Sequence, residues 1–184
     1  LDALKGTYKY GPAPVHFCTD HKVLGCDFYL MNYIKGIVIR REYPRTLNLS
    51  PDQTRKQLLN FFDALGDLHS VNLEEVGLEN FGKPQGYVLR QVEGWSNRWM
   101  DAVTPDTVNC DEIIKWLQDH MPKESGKASV IHNDYKLDNV LFDIDDPLRL
   151  IGVLDWEMST VGDPLMDLGC TLGYWVQLDD PEFF

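Results

Sequence analysis

The chain has 184 residues, 43% of them hydrophobic and 11% aromatic, enough for one well-packed domain or a large lobe of a two-lobed one. Five Trp, eight Tyr and eight Phe argue against disorder. The formal charge of −12 argues against a nucleic-acid partner, which needs a basic surface, yet leaves nucleotides open because metal ions bridge acidic side chains to phosphates.

The apolar runs 15–18 and 28–34, separated by the polar stretch Thr19 to Asp27, predict two strands of a hairpin. Gly36 loosens the chain, and Pro44 keeps the next segment irregular. Ser50-Pro51-Asp52-Gln53 predicts a helix start, with a capping serine, a proline at the first position and a glutamine able to reach back. That helix runs to about Val71, with Leu58, Phe62, Leu65 and His69 on one stripe. Residues 73–86 are rich in turn formers. Tyr87 to Val92 reads as a strand or extended segment, followed by a short helix from Trp95 to Val103. Asp111 to Met121 predicts another helix, ended by Pro122, with Ile113, Ile114, Trp116 and Leu117 apolar. A polar linker, Lys123 to Lys127, leads to a short strand at Val130-Ile131.

The chemistry concentrates beyond that strand. His132-Asn133-Asp134-Tyr135-Lys136-Leu137-Asp138-Asn139 is a polar loop, Val140 to Phe142 a strand, and Asp145-Asp146-Pro147 a turn. Leu150 to Leu154 is the return strand; a polar loop opens with Asp155-Trp156-Glu157, and a helix starts at Asp163. With the turn centred near Pro147, residues whose numbers sum to about 294 face each other. Asn139 then stands opposite Asp155, with Asp134 just before it. An amide oxygen and a carboxylate side by side, with a second carboxylate near, suit Mg²⁺, which takes few protein oxygens and keeps room for waters and phosphates. Asp143, Asp145 and Asp146 are no calcium loop, since the glycine and final glutamate of that motif are missing. They belong to a solvated turn.

His-x-Asp with an Asn five residues after the Asp resembles the catalytic loop of protein kinases and their small-molecule relatives. Asp155-Trp156-Glu157 is similar to the metal-binding segment of the aminoglycoside phosphotransferase and choline kinase family, and Gly162-Asp163-Pro164 and Asp167-Leu168-Gly169 resemble the helix after it. Phe28 to Gly36 and Gln91 to Trp95 resemble the subgroup of kinase-like domains fused to some acyl-CoA dehydrogenases. The resemblance implies an α/β (α+β) protein-kinase-like fold, with the end of the N-terminal lobe and the hinge in residues 1–36. A mainly helical C-terminal catalytic lobe with a small catalytic β-hairpin would occupy 37–184. It further implies Asp134 as catalytic base, Asn139 and Asp155 as Mg²⁺ ligands, and Lys136 on the transferred phosphoryl group. Met31-Asn32-Tyr33-Ile34 resembles the hinge, so the Asn32 carbonyl and Ile34 amide would bind the adenine of ATP, with Met31 behind it. Asp167 would brace the catalytic loop through backbone amides, while His132 and His69 read as structural. Glu157 stays open between a second metal and a water.

Two departures stand out. Asn133 occupies a position where the family usually has glycine. No glycine-rich strand-turn-strand or Val-Ala-x-Lys segment precedes Cys18, so the N-terminal lobe is expected to be largely absent from this chain. A sequence opening on Leu1 and ending on Phe183-Phe184 reads as a piece of a longer protein.

The expected reaction is transfer of the γ-phosphoryl group of ATP to a hydroxyl of a small molecule. The alternatives are a non-catalytic nucleotide-binding module of the same fold, a protein kinase, and a metal-dependent hydrolase. An Ala-Pro-Glu segment and a full-length activation loop are missing, which disfavours the protein kinase. Cys18, Cys26, Cys110 and Cys170 form no Cys-x-x-Cys pair and read as reduced thiols of a cytoplasmic protein. No apolar run approaches the ~20 residues of a membrane span, and no signal-peptide pattern is read, so no membrane partner is expected.

Overall fold

A computed structural model gives the structure of the chain and describes residues 1–40, 43–44, 47–175 and 180. After a 3-10 turn at Asp2–Leu4 come β1 (Pro14–Cys18), α1 (His21–Leu24) and β2 (Phe28–Met31). β1 and β2 pair antiparallel, with Phe17 opposite Tyr29, so the expected hairpin is present. Its connection carries a single helical turn, capped by the Asp20 side chain on the Lys22 amide and closed by Gly25 at φ +81°.

Beyond the hairpin, Ile37 exchanges both backbone hydrogen bonds with Phe142, at 2.7 and 2.9 Å. A Cβ on Gly36 would stand 2.8 Å from the Phe142 carbonyl oxygen, so glycine permits this close approach. α2 (Pro51–His69) begins as predicted, with Ser50 Oγ accepting from the Gln53 amide and the Gln53 side chain accepting from the Ser50 amide.

The buried face of α2 is Gln57, Phe61, Ala64, Leu65 and Leu68, a rotation from the expected stripe that keeps only Leu65. The reason is polar. Gln57 Nε2 donates to the Pro147 carbonyl at 2.5 Å and Asn60 Nδ2 to the Leu148 carbonyl at 2.8 Å, tying the helix to a distant turn. A hydrophobic-period reading assigns Gln57 to solvent, whereas it is fully buried and satisfied.

α3 spans Tyr87–Ala102 as one helix, which corrects the expected strand over Tyr87 to Val92. Its first amides are capped from far along the chain: the Glu124 carboxylate accepts from Gly86 N and Val88 N at 3.1 and 3.2 Å. α4 (Asp111–Asp119) stops short of the predicted Met121 and leaves Ile113, Trp116 and Leu117 exposed.

β3 (Ser129–Ile131), β4 (Val140–Phe142), β5 (Leu150–Val153), β6 (Thr160–Gly162) and α5 (Pro164–Gly173) complete the order. β3 pairs antiparallel with β6 and β4 with β5. β6 lies in the stretch read from sequence as polar loop. A residue at Gly162 with a Cβ would come within 2.5 Å of Ile131 Cδ1, so the glycine lets β6 lie against β3.

α2 packs across these ladders. Phe61, Leu65 and Leu68 meet Val130, Tyr135, Val140, Phe142, Val153 and Trp156 in one core, to which the first residues add Leu4 and Tyr8. Buried phenols land on helix carbonyls, Tyr135 on Phe61 at 2.7 Å and Tyr8 on Ala64 at 3.1 Å. Enclosing a ring such as Phe61 contributes roughly 1.5–3 kcal/mol. Among the described residues no helix is long and apolar enough to cross a membrane.

Candidate active site

Ile131 pairs with Thr160, and Val140 with Val153. The loop 132–139 therefore leaves and re-enters the ladders beside the loop 154–159, and the two loops face each other at one end of the strands. The register differs by one from the sequence estimate: Phe142 pairs with Leu150, which centres the turn near Asp146 rather than Pro147, and the shift between Leu141 and Phe142 takes back half of that offset. Asn139 consequently pairs with Leu154, whose amide donates to the Asn139 carbonyl at 2.8 Å. Asp155 is the next residue, exposed and held at φ +64°.

Asp134 sits at the centre of the first loop. Its Oδ1 accepts from Lys136 Nζ at 3.0 Å and from the Tyr174 hydroxyl at 2.8 Å, and its Oδ2 accepts from Asn139 Nδ2 at 2.8 Å. Burial alone would raise this carboxyl; the hydrogen bonds from Lys136, Tyr174 and Asn139 outweigh it and hold the group below the usual carboxylate value. The same contact with Asp134 raises Lys136 above the usual ammonium value. Asn139 also donates to the Asp134 backbone carbonyl at 2.9 Å, so its amide nitrogen is committed and its oxygen is the atom left to a cation.

The loop is held from beneath by a fully buried carboxylate. Asp167 on α5 accepts from the His132 amide at 2.9 Å and the Asn133 amide at 2.7 Å, and His69 Nε2 donates to it at 2.8 Å. His132 donates from Nε2 to the Leu154 carbonyl at 2.8 Å and accepts at Nδ1 from the Asp134 amide at 3.3 Å. That pair of bonds fixes a neutral imidazole, and burial holds its pKa below the usual value. His132 thus links the two loops and presents no free nitrogen to a substrate.

Asn133 explains the departure at the glycine position. Its φ of +64° is a conformation that glycine adopts freely and asparagine tolerates. Its side chain accepts from the Tyr87 hydroxyl at 3.0 Å and donates to the Met158 carbonyl at 2.9 Å, joining α3 to both loops.

Two clefts open along these loops, neither of them lined by Asp134, Lys136 or Asn139 themselves. One of about 680 Å³ lies between the β1–β2 hairpin and Asp155-Trp156-Glu157, with Val15, Phe17 and Tyr29 in its wall. The other, about 560 Å³, lies between α3 and Asn133 and is lined by Lys83, Arg90, Trp95 and Arg98 among others. Asp134, Lys136 and Asn139 are in direct contact, with Asp155 on the facing loop. Met31, Asn32 and Ile34 stand apart at the end of the hairpin. Met31 pairs with Pro14, the Asn32 amide donates to the Ala13 carbonyl at 2.9 Å, and Ile34 packs over Gly152. Among the described residues no group of three or more His, Cys, Asp or Glu side chains could hold a metal ion. Any cation here would rest on the amide oxygen of Asn139 with a carboxylate, a set that suits Mg²⁺ better than a softer metal. Sequence reasoning missed Tyr174 and the His69–Asp167 pair, since both contacts arise only once α5 lies along the loop.

The model of the phosphotransferase enzyme family (APH) matches residues 1–184. The chain belongs to that family. Over 158 residues this phosphotransferase-family chain is 35% identical to acyl-CoA dehydrogenase family member 11 of Homo sapiens, covering 85% of this chain and 20% of that protein. Member 10 of Mus musculus is 32% identical over 171 residues, covering 92% of this chain and 16% of the relative. The chain therefore spans a minor part of these relatives. A solved structure from Ralstonia eutropha JMP134, named for the aminoglycoside phosphotransferases, superposes with TM-score 0.84 at 32% identity, over 97% of this chain and 54% of that one. The GDP and kanamycin complex of APH(2")-IIIa gives TM-score 0.67 at 18% identity, over 95% and 59%. The fold is the protein-kinase-like fold of these phosphotransferases, represented by part of the domain.

Proposed function

We propose that this chain is the hinge and catalytic lobe of a Mg²⁺-dependent kinase that moves the γ-phosphoryl group of ATP to a hydroxyl of a small molecule. The observation that carries the reading is the Asp134–Lys136–Asn139 cluster facing the Asp155 loop, with one cleft bordered by Asp155 and another by Asn133. Residues 1–36 are read as the end of the upper lobe and the hinge, and 37–184 as the catalytic lobe. Related folds solved with GDP and kanamycin, or with ATP and streptomycin, support a nucleotide on one side and a hydroxylated acceptor on the other.

In this reading nucleotide enters the cleft under the β1–β2 hairpin, with adenine against Met31, the Asn32 carbonyl and the Ile34 amide. Asn139 and Asp155 would hold Mg²⁺, which supplies charge neutralisation on the phosphates. The acceptor hydroxyl approaches Asp134 from the α3 side. Asp134 accepts its proton as the oxygen attacks phosphorus, while the P–O bond to ADP breaks. Hydrogen bonding that holds Asp134 ionised keeps it ready to receive that proton. Lys136, already within reach of Asp134, swings to the phosphoryl group and compensates its charge. The remaining contribution is alignment of donor and acceptor.

The test uses the intact protein, with ATP and a pool of candidate hydroxylated acceptors. Asp134→Asn should lower turnover by roughly 10²–10⁴ while leaving nucleotide affinity within a few-fold. Asp155→Asn should instead weaken Mg²⁺-dependent ATP binding in calorimetry. Turnover that survives in the first variant would reduce Asp134 to a loop brace. Nucleotide binding without turnover in the wild type would favour a non-catalytic module.

A further inference from the structure

Tyr174 is absent from the sequence reading of the site, yet it makes one of the shortest contacts there. It lies just past α5, whose inward positions are Asp163, Asp167, Cys170 and Tyr174, spaced by four, three and four residues. That spacing puts them on one helix face. Each reaches a neighbour of the catalytic loop or the loop itself. Asp163 accepts from the Ser125 amide at 2.7 Å, Asp167 from the His132 and Asn133 amides, and Cys170 Sγ donates to the Asn133 carbonyl at 3.2 Å. The next member of the series is Tyr174, whose hydroxyl donates to Asp134 Oδ1 at 2.8 Å. Its ring lies under Lys136, with Nζ 4.8 Å from the centroid, and the side chain is half exposed at the helix end.

We propose that the Tyr174 hydroxyl holds the acceptor position on Asp134 and keeps water from it until an acceptor hydroxyl displaces the phenol. The inference rests on reading Asp134 as the base. An O–H donor on this carboxylate oxygen stands in the relation that an acceptor alcohol must take before giving up its proton. The phenol thus competes for the place that water would use to hydrolyse ATP. Packing does not lock it, since half of the residue faces solvent and the helix ends beneath it, with its amide on the Thr171 and Leu172 carbonyls. Lys136 couples the two sides of the site. It bonds Asp134 and covers the Tyr174 ring, so its departure toward a phosphoryl group removes one of the contacts that keep the ring in place.

Tyr174→Phe in the intact protein keeps the ring and its cation contact and removes only the hydroxyl. ADP release from ATP and Mg²⁺ without added acceptor should rise roughly tenfold, the scale of one lost hydrogen bond to a charged group. The KM for ATP should stay unchanged, so the effect falls on kcat alone. A brace role predicts no rise, because damage to the site lowers hydrolysis. Asp134→Asn in both backgrounds separates the two readings. If Asp134→Asn silences hydrolysis while Tyr174→Phe leaves it at or below the wild-type rate, the gate is refuted and the base stands. If Asp134→Asn hydrolyses like the wild type, the base assignment fails and takes the gate with it. Phosphate found on Tyr174 by mass spectrometry after incubation with ATP would also overturn the proposal, since the phenol would then be an acceptor.

Discussion

Removal of the Asp167 carboxylate tests the account of loop 132–139 most directly. The group is fully buried and accepts from the His132 amide, the Asn133 amide and His69 Nε2, all between 2.7 and 2.9 Å. Asp167→Ala leaves those donors facing an apolar methyl in a space closed to solvent. A buried donor without a partner costs about 1–3 kcal/mol. The three do not add fully, because the loop relaxes, and a loss of about 3–5 kcal/mol follows, the range for breaking a buried charged contact from one side. In a domain of this size each kcal/mol lowers the melting midpoint by roughly 2–4 °C, giving a drop of about 6–20 °C. Asp167→Asn keeps one acceptor oxygen and turns an NH₂ toward an N–H, so its loss is smaller, about 2–3 kcal/mol. Hydrogen exchange followed on residues 129–139 reads the loop itself, and the His132 and Asn133 amides should lose protection in both variants. A melt within 2 °C of the wild type (about the shift that ~1 kcal/mol produces), with those amides still protected, would refute the reasoning.

The other expectations concern the same frame. Asn133→Gly should fold well, whereas Asn133→Ala at φ +64° should be less stable than the glycine variant by about 1–2 kcal/mol in denaturant melts; equal stability would contradict the backbone argument. Gly36→Ala drives a Cβ against the Phe142 carbonyl and should break the Ile37–Phe142 bridge, seen as faster exchange of the Ile37 and Phe142 amides. Burial makes His132 bind its proton less readily folded than unfolded, so the stability it contributes is full above the unfolded value near ~6.5 and is lost as pH falls below it. The melting midpoint should drop between pH 7.5 and 5.5, by less in His132→Asn; an identical slope in the variant would exclude this role.

Loop 132–139 was legible because its motif is continuous: His132, Asp134, Lys136 and Asn139 lie within eight residues, followed at once by a strand and a turn. What failed depends on partners distant in sequence. α3 looks like a strand at Tyr87-Val88-Leu89 because its cap, Glu124, comes 36–38 residues later. The face of α2 is set by Gln57 and Asn60 reaching the 147–148 turn, contacts invisible to a hydrophobic count. The hairpin register moved because the turn centres near Asp146 rather than Pro147, and the irregularity at Leu141/Phe142, which no turn rule predicts, brings it back to within one residue. β6 is a three-residue strand in a polar stretch, defined only by its pairing with β3.

The paired ladders at the base of the site also decide which parts of the sequence are free to change length. Loop 132–139 is pinned at one end by β3 on β6 and at the other by β4 on β5, and the same pairs pin loop 154–159. A residue inserted in either loop has no slack to enter along the strands and must bulge out between the two fixed ends. The stretch from Val103 to Lys127 is tethered differently, through the Glu124 carboxylate on the start of α3 and the Ser125 amide on Asp163. The part of it before Glu124 can lengthen or shorten without moving Asp134, Asn139 or Asp155. Changes of length and sequence are therefore most easily taken up around α4, while the geometry of the two loops stays fixed to the residue.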